Sequence, residues 1–162
     1  MKKVMWLAGF IGSIVVANYA TSMLGLVPIG FGLAVTAGTF AAGAALILRD
    51  GLQVTAGRKW AVVAVIVGAL LSYLLADPFI ALASGIAFLV SELVDFAVFT
   101  PLRQRSLPRA VLVSSVVSAP VDTVLFLHIA GFGVTLQAVM GQLIVKTAMA
   151  LAAAAYLVWR RS

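Results

Sequence analysis

The chain has 162 residues, 64% of them hydrophobic and 10% charged, with a formal net charge of +6 and no cysteine. Soluble domains carry charge on about a quarter of their residues, so this composition excludes an ordinary soluble domain and points to a polytopic membrane protein. The missing cysteines exclude disulfides, iron-sulfur clusters and thiolate metal sites, and basic residues dispersed in short groups between apolar stretches argue against nucleic acid as a partner.

A membrane-spanning helix needs about 20 mostly apolar residues, and such segments occupy nearly the whole sequence, as a single all-α integral membrane domain over residues 1–162. The first span covers residues 4–25. Lys2 and Lys3 ahead of an apolar run imitate a signal peptide, but Asn18 in Ala17-Asn18-Tyr19-Ala20 stands where cleavage wants a small residue, and the run continues past it. A Gly/Pro connection from Gly25 to Gly32 leads to a second span over 33–49, which carries small residues at four-residue spacing: Ala37, Ala41 and Ala45, and again Ala34, Gly38 and Ala42. Such rows let helix backbones approach closely in lipid. A polar loop from Asp50 to Lys59 follows, then spans over 60–77 and 78–99 separated by the tight break at Asp77-Pro78. A basic loop from Pro101 to Arg109 precedes a fifth span over 110–130, and the glycine turn Gly131 to Gly133 precedes a sixth over 134–159.

The basic residues fall after alternate spans: Lys2 and Lys3; Arg49, Arg58 and Lys59; Arg103, Arg105 and Arg109; Arg160 and Arg161. Cytoplasmic loops are enriched in Lys and Arg, so this alternation predicts six transmembrane helices with both termini in the cytoplasm and a multi-pass protein of the cell's inner membrane. Lys146 is the one basic residue left inside a span.

Charges inside hydrocarbon are expensive and mark a pathway or a binding site by default. At about 1.5 Å of rise per residue, Asp122 and Lys146 each lie about 18 Å into spans five and six, near the midplane and within reach of each other. They are expected to pair, either as a structural brace or as a pair that also contacts substrate. Pro120, two residues before Asp122, removes a backbone hydrogen bond from its helix, and transporters place sites at such interruptions. Ser114, Ser115 and Ser118 on the preceding turns either line that gap or bond back to the backbone. Glu92 and Asp95, three apart, share a helical face; two neighbouring carboxylates in low dielectric need a partner or a proton. Asp95 is near enough to the inner surface to be solvated or to meet Arg103 or Arg105, and Glu92 is the deeper functional candidate. In spans one and two, Asn18 and Thr39 add polar groups, Asn18 offering both donor and acceptor to a heterocycle or to a neighbouring helix. His128 has no companion at metal-ligand spacing, and no phosphate-binding loop, nucleophile elbow or HExxH motif occurs. No metal, cofactor or enzymatic activity is expected.

An ordered series of segments resembles the queuosine-precursor transporters, also described as putative vitamin-uptake transporters: Ala17-Asn18-Tyr19, the stretch VTAGTF followed by LILRD ending at Asp50, SELVDFAVFTPLR, SAPVDTVLF, and a lysine in the last span, Lys146. The resemblance implies a six-span importer of 7-cyano-7-deazaguanine or its aminomethyl analogue. It implies substrate binding by Asn18, Thr39, Glu92, Asp122 and Lys146, with Asp50 and Asp95 as gate or structural groups. Many relatives carry glutamine where this chain has Glu92. A deazaguanine presents N–H and amino donors beside a carbonyl, which a carboxylate together with Asn or Lys can match, and Tyr19, Phe40 or Phe126 offers a stacking ring. Two other classes stay open: a substrate-binding membrane subunit energised by a separate ATPase, and a proton-conducting or purely structural membrane protein. Association into a homo-oligomer is also compatible with the sequence.

Overall fold

A computed structural model describes residues 2–159; Arg160 and Arg161 of the last charge group lie outside the described residues. Among them are six helices and one hairpin: α1 (Lys2–Leu24), β1 (Leu26–Gly30), β2 (Leu33–Thr36), α2 (Thr39–Ala56), α3 (Arg58–Leu75), α4 (Pro78–Arg103), α5 (Leu107–Ile129) and α6 (Leu136–Trp159). The protein is an all-α polytopic membrane protein with a small β addition. Five helices, all but α2, are long and apolar enough to cross a membrane, whereas α2 carries Arg49, Asp50 and Gln53 on its buried face.

The helices close into a circuit, α1 against α2, α2 against α6, then α5, α4, α3 and back to α1. One apolar core gathers Phe10 and Ile14 of α1, Ala45, Leu46 and Leu52 of α2, Ala64 and Val65 of α3 and Phe88 of α4. A second joins Phe99, Ala110, Val111 and Ala153 of α4, α5 and α6. Large apolar side chains such as Leu70, Leu74 and Leu93 point outward. That outward apolar surface is costly in water and is what a lipid-facing perimeter requires.

Two ends of the bundle are distinguishable. Lys3 lies over the Trp60 ring at 3.5 Å and Arg58 over the Phe96 ring at 3.9 Å, so the start of α1, the α2–α3 turn and the C-terminal half of α4 share one end. At the other end, the Asp77 backbone N–H donates to Ser22 Oγ at 2.9 Å, tying the end of α1 to the α3–α4 turn. Asp77 there caps α4, its carboxylate accepting from the N–H groups of Phe79 and Ile80 at 2.9 Å each, with Pro78 in the first turn, where a missing N–H costs nothing.

Residues 25–59 differ from the sequence reading. The Gly/Pro connection and the first residues of span two form an antiparallel hairpin, with Leu26 opposite Thr36 and Val27 opposite Val35. Its tip, Gly30-Phe31-Gly32, is left-handed throughout (φ 92°, 53° and 72°), a run that two flanking glycines make accessible. The helix then starts only at Thr39 and continues through the stretch read as a polar loop, broken from α3 by Gly57 alone. Hydropathy misled here because Arg49 and, within that stretch, Asp50 and Gln53 face inward, buried beside Leu52, while the exposed Thr55 donates its Oγ1 hydroxyl back to the Gly51 carbonyl at 2.8 Å. The basic loop is likewise shorter than predicted, because α4 runs through Pro101 to Arg103 and α5 begins at Leu107.

Candidate functional site

Where the hairpin gives way to α2, a small cavity of about 40 Å³ sits between α1, β2, α2, α4, α5 and α6. Its depth follows from local geometry. Gly38 lies against the backbone of α1, and a Cβ there would collide with the Ala17 carbonyl oxygen and with Thr21 Oγ1. Only glycine permits this approach, and Thr21 Oγ1 accepts from the Gly38 N–H at 3.1 Å. Thr36 and Thr39 join their hydroxyls at 3.0 Å across the strand-to-helix junction. The first turn of α2 therefore opens on the cavity, and no side chain caps it.

The opposite wall carries the expected ion pair. Lys146 Nζ donates to Asp122 Oδ2 at 2.7 Å and to Thr123 Oγ1 at 2.9 Å, with Asp122 9% and Lys146 3% exposed. Pro120 lies inside α5 one turn-fraction before Asp122. Ser114, Ser115 and Ser118 are buried, and Ser114 Oγ and Ser118 Oγ have no partner, so neither hydroxyl bonds back to the backbone.

Asn18, Thr39, Asp122 and Lys146 are thus brought to one cavity. Gln142 joins them: it is 1% exposed, lines the cavity, and its Nε2 has no partner, as is also true of Asn18 Nδ2. The sequence reading missed Gln142, although it stands four residues before Lys146 and so shares its helical face. Of the rings considered for stacking, Phe126 lines the cavity, whereas Tyr19 and Phe40 face outward. His128 is exposed.

Glu92 lies elsewhere. Ser84 and Phe88 of α4 reach the cavity, and Glu92 is one further turn along the helix, facing Arg49. The Arg49 guanidinium is fully buried and reaches Glu92 Oε2 at 2.7 Å, Asp95 Oδ2 at 2.6 Å and Asp50 Oδ1 at 2.9 Å. Two expectations are corrected by this hub. Arg49 is not a loop residue exposed like Arg58, Lys59, Arg103, Arg105 and Arg109 but the centre of a buried ionic cluster, and Asp95 pairs with it rather than with Arg103 or Arg105. The physical reason is the continuation of α2 past Asp50, which carries Arg49 inward against α4.

At about 40 Å³ the cavity is far smaller than the roughly 300–1,000 Å³ of ordinary small-molecule pockets and holds on the order of one or two waters.

A family model described as "Putative vitamin uptake transporter" matches residues 35–159, from β2 to the end of α6. No curated protein and no solved structure matches the chain.

Proposed function

The chain belongs to the putative vitamin uptake transporter family, and from that premise we propose that it imports a queuosine precursor, 7-cyano-7-deazaguanine or 7-aminomethyl-7-deazaguanine, across the inner membrane by alternating access around the Asp122–Lys146 cavity. The observation that carries the reading is the convergence of Asn18, Thr39, Asp122 and Lys146, drawn from four helices, on one small cavity. Burying unpaired polar groups is costly unless a ligand or water satisfies them, and a transport site is where a membrane protein gains by keeping them. Asp122 matches the donor edge of a deazaguanine, with Lys146 or Asn18 facing its carbonyl and Phe126 lying against the ring.

The two barriers differ in kind. With both termini in the cytoplasm, the hairpin covers the external side, its β2 strand packed on α6 where Gly141 meets the Ala34 carbonyl. The Arg49 hub closes the cytoplasmic side by joining α2 to α4. In this mechanism the hairpin moves to admit substrate, and separation of Arg49 from Glu92 and Asp95 releases it inward, with Asp50 remaining on the same helix as Arg49. Glu92 meets substrate only on that inward path.

Uptake of labelled 7-cyano-7-deazaguanine into cells unable to synthesise it tests the reading. Accumulation of label that depends on expression of this protein is expected; label at the level of cells without it contradicts the assignment of substrate.

A further inference from the structure

The cavity is unbalanced in a way the ion pair does not explain. Its only charged lining residues, Asp122 and Lys146, neutralise each other. Two buried donors on its lining residues have no hydrogen-bond partner, Asn18 Nδ2 and Gln142 Nε2, each on a residue at most 2% exposed. The first turn of α2 adds more, because the leading N–H groups of a helix have no partner within it and Gly38 receives no side-chain cap. Gly38 and Thr39 line the same void as the two amides. The positive end of a helix and two residues with unpaired N–H donors therefore line one small space.

We infer that Asn18, Gln142 and the N-terminus of α2 form a subsite for an uncharged hydrogen-bond acceptor, the ring carbonyl of a planar lactam heterocycle, and that Gln142 is a specificity-determining residue for transport. The inference deepens the proposed import of a deazaguanine and rests on it. An anion would suit the helix terminus equally well, but it would bring a net charge into a pocket whose own charges already cancel, and a buried charge without a counter-charge is strongly disfavoured. The same balance disfavours a cationic ligand, so the neutral cyano compound suits the pocket better than its ammonium-bearing aminomethyl analogue. A site built to donate to a carbonyl rejects a molecule that lacks one, since its donors are then left buried and unpaired.

Purified protein in detergent, titrated with 7-cyano-7-deazaguanine and with the same ring lacking its carbonyl, 7-cyano-7-deaza-2-aminopurine, separates the possibilities. The carbonyl-free compound is expected to bind about 100-fold more weakly or less, and Gln142→Glu, which replaces the donor amide by an acceptor of the same shape, is expected to lose binding of the parent while remaining monodisperse. Equal affinity for the two compounds overturns the subsite, as does unchanged binding of the parent by Gln142→Glu. Should Gln142→Glu not accumulate, Gln142→Met, which removes the donor without adding a charge, is titrated instead, and unchanged binding of the parent by it overturns the subsite. Guanine and 2-aminopurine, run alongside, distinguish the two levels of the claim. Binding of guanine without binding of the deazaguanine refutes the proposed substrate, and its loss in Gln142→Glu then upholds the subsite; binding of none of the four refutes both.

Discussion

Both buried ionic clusters join one cation to carboxylate, and they answer to different demands. At Asp122–Lys146, one cation meets one carboxylate beside an open space, and the neighbouring amides of Asn18 and Gln142 are left without partners. At Arg49, one guanidinium is shared among Asp50, Glu92 and Asp95, with no residue of the four more than 3% exposed and none of them lining that cavity. An ionisable residue in a spanning segment is a functional hypothesis by default. The contrast refines that rule: an ion pair that borders a cavity marks a place for a ligand, and carboxylates gathered around one shared guanidinium mark a brace or a gate.

The largest expected effect lies in the brace. Arg49→Met leaves three carboxylates buried without their common partner, and breaking buried ion pairs from one side costs roughly 3–5 kcal/mol. The variant is expected to accumulate poorly in membranes and to melt well below the unaltered protein in detergent; a normal melting temperature would show that the hub carries little of the fold. Next is Gly38→Ala, which drives a methyl group into the Ala17 carbonyl. Overpacking of this kind costs about 1–3 kcal/mol, and here it also displaces the first turn of α2 from the cavity, so both melting temperature and substrate affinity should fall. Lys146→Met and Asp122→Asn are expected to act mainly on transport, with uptake near background at close to normal membrane levels. Combining the two leaves no unpaired charge, so the double variant should regain stability relative to Lys146→Met without regaining uptake. Asp95→Asn should be milder, because an amide oxygen still accepts from Arg49 while Asp50 and Glu92 supply its counter-charge; about 1 kcal/mol is expected, read as a small shift in melting temperature with most uptake retained.

Much of this was legible in the chain before its fold. The apolar runs placed five of the six helices within a few residues because each of those is apolar enough to register as a span, whereas α2 begins at Thr39 and ends at Ala56, later than the span read over 33–49. Counting helical rise brought Asp122 and Lys146 to the same depth, and they do pair. The hairpin was not legible: strands of five and four residues around a Gly-Phe-Gly tip read as a loop running into an apolar helix, and nothing local distinguishes Val35-Thr36 in a strand from the same residues opening a span. Arg49 was misread for a related reason. Followed by Asp50-Gly51, it resembles the start of a polar loop, and its partners Glu92 and Asp95 lie more than forty residues away, so only the packing of α2 on α4 brings them together. Gln142 was legible in principle from its spacing to Lys146, but an amide carries no charge to draw notice in an apolar helix.

The division between site and brace is tested most directly by initial uptake of labelled 7-cyano-7-deazaguanine, divided by the amount of protein in the membrane, for Asp122→Asn, Lys146→Met and Asp95→Asn side by side. The account predicts background uptake for the first two and most of the normal rate for the third. Normal uptake by Asp122→Asn and Lys146→Met, with loss in Asp95→Asn, would place the transport site at the Arg49 hub and contradict it.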